Sequence, residues 1–212
     1  MAQQERAVKT RRTIIEAAAA LFGEFGYNGT STTDILERCG VTRGALYFHF
    51  PNKLSIADAV VALQDEALGP PEREVKVQAM IALSYQYAWG LMYDPMLRGV
   101  VRLAVEQATY KKPDDLSYRG PKKAVLELLR QAERRGELLP GLELEAVAQF
   151  FVGSFTGVQV LSEASTGRQD LPERVTEMWR IILPGLVTPG ILTRLRIPDL
   201  PGGTRPDGRL SA

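Results

Sequence analysis

Two very short helices, each with its own start and stop signal and joined through Cys39-Gly40-Val41-Thr42, constrain this chain more than any other feature. Ser31-Thr32-Thr33-Asp34 has the form of a capping box. Ser31 accepts a hydrogen bond in the first turn, while Asp34 returns one and meets the positive end of the helix dipole. Ile35, Leu36 and Cys39 give this helix an inward face. It ends after barely two turns at Gly40, where a left-handed backbone costs least. Thr42 caps a second helix, Arg43-Gly44-Ala45-Leu46-Tyr47-Phe48-His49, which Phe50 and Pro51 stop.

A longer helix precedes the pair, from about Glu5 to Glu24. Ile14, Ala18, Leu21, Phe22 and Phe25 recur along it at three- and four-residue spacing, Gly26 ends it, and Asn28-Gly29 forms a turn. Together the three predict a helix-turn-helix bundle. Asn52 then caps a helix over 53–68, which Gly69-Pro70-Pro71 breaks. Helical periodicity continues over 72–93 and 95–108, the second opened by Asp94-Pro95. Residues 109–121 are polar, contain Pro113, Gly120 and Pro121, and are expected to form a loop. Helices follow over 122–135, 143–163 and 172–183, with a short turn near 191–195.

The expected architecture is all-α. A helix-turn-helix domain spans 1–53, a second helical domain spans 54–195, and residues 196–212, rich in Pro and Gly, form a disordered tail. The 143–163 segment is apolar on more than one face through Val147, Phe150, Phe151, Phe155, Val158 and Leu161. Such breadth implies several partners, among them a second subunit.

Composition removes most chemistry. One Cys, Cys39, excludes an internal disulfide and a Cys-clustered zinc site, and a reducing compartment fits. One His, His49, leaves histidine-rich metal sites and Ser-His-Asp catalysis without parts. No catalytic residue, metal or cofactor is expected. The enzyme alternative would rest on carboxylates such as Glu106 and Glu163, which belong to no paired signature. No apolar run approaches the roughly 20 residues of a membrane span, and residues 14–22 are too brief and alanine-rich for a signal peptide. The expectation is a cytoplasmic protein with no membrane partner.

Charge is uneven. Residues 1–53 carry seven basic and five acidic side chains, and the remainder carries 19 and 20. Arg6, Lys9, Arg11 and Arg12 cluster before Thr13, an arm suited to a phosphate backbone. A reading helix must expose polar groups while its other side is held by the core. Leu46, with one or both of Tyr47 and Phe50, supplies the inner side. Thr42 and Arg43 occupy the end that enters the major groove. Arg43 matches guanine O6/N7, worth about 1–3 kcal/mol of discrimination, and Gly44 permits close approach. Ser31, Thr42, Tyr47, His49 and Lys53 suit phosphate contacts. Each also has a purely structural role open to it: Ser31 and Thr42 as caps, Tyr47 as half core, His49 as a boundary residue.

The string Gly40-Val41-Thr42-Arg43-Gly44-Ala45-Leu46-Tyr47-Phe48-His49-Phe50, followed by Asn52-Lys53, resembles the DNA-binding signature of the TetR family of bacterial repressors. Tyr27, Thr30-Ser31 and Ile35 extend the likeness. The resemblance implies base reading by Arg43 and backbone contact by Ser31, Thr42, Tyr47, His49 and Lys53, ahead of an all-helical ligand and dimerisation domain. Residues 45–50, Val101-Arg102-Leu103-Ala104 and Met178-Trp179 are similar to the Streptomyces gamma-butyrolactone autoregulator receptors, which act in secondary metabolism. Those receptors carry a pocket Trp just before the helix matched by 122–135, whereas residues 109–121 contain none. A butenolide or furan, or an antibiotic-like molecule, therefore stands beside a butyrolactone as effector.

Candidate effector contacts are Tyr85, Trp89 and Met92, then Phe151, Phe155 and Thr156, with Gln64 as an amide donor on the 53–68 helix. The bland alternative is that these aromatics only fill a core. The function expected is a ligand-responsive repressor that binds palindromic double-stranded operator DNA as a homodimer, with one or two dimers per operator. Its small hydrophobic effector shifts the spacing of the reading heads. A pseudo-receptor or activator of the same fold, and a helical interaction protein without DNA binding, are the alternatives.

Overall fold

The computed structural model describes residues 2–63, 69–112 and 116–198. Its helices are α1 (Ala2–Gly29), α2 (Thr32–Cys39), α3 (Arg43–His49), α4 (Lys53–Val61), α5 (Lys76–Tyr93), α6 (Pro95–Glu106), α7 (Leu116–Arg134), α8 (Leu144–Thr166), α9 (Leu171–Ile182) and the single turn α10 (Pro189–Leu192). Short 3₁₀ turns occupy Gln107–Thr109 and Leu183–Gly185. The one β feature among the described residues is an isolated antiparallel bridge between Leu138 and Val187. The fold is all-α, as the helical periodicities require. The expected tail lies outside the described residues from 199 onward.

The chain divides into two compact units, Met1–Ala67 with Tyr93–Ser117, and Leu68–Met92 with Tyr118–Ala212. In the first, α1 is the spine. Ile14, Ala18 and Phe22 of α1 meet Ile35 of α2, Leu46 and Phe50 around α3, Ile56 and Val60 of α4, and Val100 and Leu103 of α6 in one buried cluster. Thus the head's core takes in α4 and α6 as well as residues before 54. Glycine makes the α6 contact possible: a Cβ on Gly99 would stand 2.1 Å from the Ala19 carbonyl oxygen.

The local start signals act as expected. Ser31 Oγ accepts from the Asp34 N–H at 3.1 Å, and the Ser31 N–H donates to Asp34 Oδ2 at 2.7 Å. Those bonds hold the Asp34 carboxyl below the usual range. Gly40 closes α2 at φ 66°. Thr42 Oγ1 accepts from Ala45, Asn52 Oδ1 from Ser55 and Asp94 Oδ1 from Met96, at 3.2, 2.9 and 2.8 Å.

Helix boundaries differ where distant residues intervene. Helix α1 begins at Ala2, before the expected Glu5, and Gly26 breaks it as expected (φ 74°, ψ 175°); the short turn beyond the break, to Gly29, is held where Glu106 Oε2 accepts the Tyr27 N–H at 3.0 Å. Helix α4 ends at Val61, and residues 64–68 of the expected longer helix lie outside those described. Helix α5 starts at Lys76 rather than 72. The buried carboxylate of Glu137 accepts the N–H groups of Lys76 and Val77 at 2.9 and 3.0 Å and so fixes the first turn there. Helix α7 starts at Leu116, inside the stretch expected to be loop, and contains Pro121. Its entry is anchored by the buried Ser117 hydroxyl, which donates to Gln107 Oε1 at 2.6 Å.

In the second unit Trp179 of α9 is fully buried, and its Nε1 donates to Ser84 Oγ at 2.8 Å. The α8–α9 turn passes through Gly167 and Arg168, both left-handed. Asp170 Oδ1 accepts from the Ser162 and Thr166 hydroxyls at 2.6 and 2.8 Å, and its Oδ2 accepts from Arg174 Nε at 2.7 Å. Burial alone would raise the Asp170 carboxyl, but these bonds and the Arg174 charge outweigh it and bring the pKa down to about 2.

Candidate nucleic-acid interface

Helix α3 is held from one side. Leu46 and Phe50 are sunk in the head's core, whereas Thr42, Arg43, Gly44 and Tyr47 are exposed. Of the two aromatic candidates for the inner side, Phe50 takes it and Tyr47 faces out. The Arg43 guanidinium lies 5.7 Å from the centroid of the Tyr47 ring, within cation–π range. The Tyr47 hydroxyl is 3.5 Å from Thr32 Oγ1, which ties α3 to the first turn of α2. A Cβ at Gly44 would meet nothing within 4 Å, so the protein's own packing does not require glycine there.

The remaining sequence candidates divide between outward and inward duties. Ser31 and Thr42 are exposed, with their oxygens engaged as helix caps. His49 is half-buried between the rings of Phe48 and Phe50. Lys53 turns towards the protein: its Nζ donates to the carbonyls of Tyr27 and Thr30 at 2.9 and 3.0 Å and lies 4.1 Å from the Tyr27 ring centroid. Two of the ammonium's three donors are thus used, and burial lowers its pKa. The basic arm is the first part of α1. Its Arg11 lies 5.1 Å from the Phe50 ring centroid, and Arg12 pairs with Glu16 at 2.8 Å. Phe48, which sequence reasoning left without a role, is 81% exposed on α3. The signal was available, because Leu46 and Phe50 already fill the inner side.

In the second unit Tyr85, Trp89 and Phe151 are buried, and Met92, Phe155 and Thr156 are half-buried. Gln64 lies outside the described residues. The Tyr85 hydroxyl is 2.5 Å from Thr176 Oγ1. The rings of Phe151 and Trp179 approach to 4.9 Å, those of Tyr87 and Phe155 to 6.2 Å. Thr156 also hydrogen-bonds Tyr118, whose phenol burial pushes up despite that bond. Tyr118 lies in the stretch expected to be loop, which is why sequence reasoning passed over it.

Glu106 and Glu163, the carboxylates of the enzyme alternative, both have structural partners. Glu106 binds Tyr27 and Arg102, and Glu163 pairs with Arg168 at 2.7 Å. Among the described residues no three metal-binding side chains gather.

The bacterial regulatory protein family typified by the tetracycline repressor matches residues 14–60, and the tetracycline-repressor-like C-terminal domain matches 75–188. The A-factor receptor protein of Streptomyces griseus is 37% identical over 196 residues, 92% of this chain and 70% of that one. The crystal structure of full-length TylP, a TetR regulator from Streptomyces fradiae, matches with a TM-score of 0.80 at 44% identity, covering 91% of this chain and 93% of that one. The structure of CprB from Streptomyces coelicolor in complex with its biological operator sequence matches with a TM-score of 0.67 at 30% identity, covering 89% and 94%.

Proposed function

Because this chain belongs to the TetR family of ligand-responsive bacterial regulators and is not an enzyme, we propose that it is a repressor that binds a palindromic operator as a homodimer and releases it when a small hydrophobic effector binds. The observation that carries the reading is the outer face of α3, where Arg43 rests on Tyr47 beside the bare backbone of Gly44. Residues 1–53 read DNA and 54–195 sense and dimerise. Arg43 bonds a guanine edge with Thr42 and Gly44 against the groove floor. Phe48 meets a thymine methyl or sugar. Ser31, Thr42, Tyr47, His49 and the remaining donor of Lys53 hold phosphates.

Dimerisation is supported by α8. Ala146, Phe150, Gly153, Gly157, Leu161 and Ala164 recur every three or four residues and are all exposed, Phe150 at 62%. A Cβ at either glycine would meet nothing within 4 Å, so the stripe is open to a close helix. Ile181 of α9 is 80% exposed and extends the apolar surface. Helix α8 is long and apolar enough by composition to cross a membrane, but a second copy accounts for its exposed stripe in a regulator that works on DNA in the cytoplasm. Two reading helices related by a twofold axis then address half-sites about 34–36 Å apart, or a multiple of that distance.

The effector is gamma-butyrolactone-like, butenolide-like or antibiotic-like. It acts by favouring a dimer whose heads are wrongly spaced, and a change from 1:99 to 99:1 requires about 5.5 kcal/mol of differential binding. One observation favours a pseudo-receptor or an activator that answers no butyrolactone: the 109–121 stretch offers Tyr118, bonded to Thr156, and no tryptophan.

Selection of bound fragments from random duplexes tests this function. The expected product is a palindrome, released by a butyrolactone, a butenolide or a hydrophobic extract. Weak, equal retention of all duplexes would overturn the DNA-binding reading, and retention unaffected by every probe would overturn induction.

A further inference from the structure

The end of α1 is where the first unit's polar side chains converge. Gly26 breaks the helix with φ 74°, and the space a side chain would fill is occupied by Glu106: a Cβ there would stand 2.8 and 2.9 Å from the two carboxylate oxygens. Glu106 Oε2 accepts the Tyr27 N–H at 3.0 Å, and Oε1 accepts from Arg102 Nε at 2.8 Å. Arg102 Nη1 reaches on to the carbonyls of Gly23 and Glu24, at 3.2 and 3.0 Å. One ion pair on α6 therefore satisfies backbone groups on both sides of the break.

The segment so held is the one that leads into the phosphate-facing residues. The Tyr27 carbonyl accepts from Lys53 Nζ, as does the Thr30 carbonyl, immediately before the Ser31 cap of α2. A ring contact reinforces the same point, since Tyr110 stacks on Tyr27 at 4.0 Å and its hydroxyl donates to the Leu103 carbonyl of α6. From α6 to Lys53 hydrogen bonds thus engage both the N–H and the carbonyl of Tyr27, and half-buried charged groups supply them.

We infer that Glu106, held by Arg102, is a positioning residue for operator binding: it fixes the 27–31 segment on α6 and thereby sets where Ser31 and Lys53 meet the phosphate backbone. Neither carboxylate nor guanidinium touches DNA in this arrangement. Their effect is on the precision with which a head is presented, so losing them broadens the half-site separation a dimer accepts. The inference rests on the operator-binding reading above.

The test compares the full-length chain with Glu106→Gln, which preserves shape, with Arg102→Gln, and with Glu106→Ala. Binding is measured on the selected operator, on the same operator with one base pair inserted between half-sites, and on a random duplex. Loss of a charge-assisted bond is expected to weaken operator binding about tenfold. Affinity for the inserted operator should fall less, so that spacing discrimination narrows several-fold. A role confined to folding would lower the active fraction and leave every ratio as it was. Unchanged ratios in Glu106→Gln and Arg102→Gln, with intact discrimination by the parent chain, would overturn the inference alone. A parent chain that fails to distinguish operator from random duplex would overturn the operator-binding reading and this inference with it.

Discussion

Replacing Gly99 by alanine places a methyl group where α6 crosses α1. The new Cβ would lie 2.1 Å from the Ala19 oxygen, 2.7 Å from its carbonyl carbon and 2.9 Å from its Cα. All three are backbone atoms and cannot rotate away. Ordinary contact begins at 3.4 Å, so the crossing must open by about 1.3 Å. Val100 and Leu103 of α6 share the buried cluster with Ile14, Ala18 and Phe22, and since a gap of about 0.5–1 Å already forfeits a quarter to a half of a dispersion contact, each contact that takes the full opening loses more than that. Overpacking costs about 1–3 kcal/mol, and backbone collision puts this site at the upper end. The helix-propensity gain of alanine over glycine returns about 1 kcal/mol, so the net loss is about 2 kcal/mol. A melting temperature lower by about 4–8 °C follows for a chain of this size. Circular dichroism melts of the two proteins, at equal concentration and without DNA, measure it. Melting at or above the parent value would refute the close crossing of α1 and α6.

Gly44→Ala has nothing to collide with, so it should melt no lower than the parent chain while weakening operator binding, measured by titration of a labelled duplex; undiminished affinity would show that α3 needs no close approach there. Lys53→Met should flatten the slope of log affinity against log salt by about 1 per head, through loss of one phosphate contact, and lower stability by about 1 kcal/mol through loss of its carbonyl bonds. A slope that does not move would assign Lys53 to the fold alone. Asp170 sits below its unfolded pKa, so its contribution is complete above about pH 4 and disappears as pH falls towards about 2. With its side chain 31% exposed, the amount is under about 1 kcal/mol. The gap in stability between the parent chain and Asp170→Asn should close across that window in acid denaturation, and a gap independent of pH would refute the assignment.

Caps were legible in the sequence because capping is local chemistry. Ser31 with Asp34, Thr42, Asn52 and Asp94 each act within three residues of themselves, and each starts a helix as their residue types predict. The inward set of the head was legible for the same reason, since Ile14, Ala18 and Phe22 or Leu46 and Phe50 follow helical spacing. What escaped depends on partners far along the chain. Glu106 meets Tyr27 across 79 residues and Glu137 meets Lys76 across 61, so neither the anchoring of Tyr27 nor the late start of α5 has a local signal. Residues 116–121 misled because Gly120 and Pro121 favour a loop, while Ser117 finds a buried partner in Gln107. Lys53 combined both cases: its type suggested phosphate, yet two carbonyls at the end of α1 lie within its reach.

In the proposed complex α3 brings Arg43 to a guanine edge in the major groove. Methylation interference at guanine N7 on the selected operator, for the parent chain and for Arg43→Ala, addresses it atom by atom. The parent chain should give one strongly interfering guanine in each half-site, symmetric about the dyad, with interference lost at those two positions alone in Arg43→Ala. The same pattern from both proteins, or a uniform loss across all positions, would contradict it.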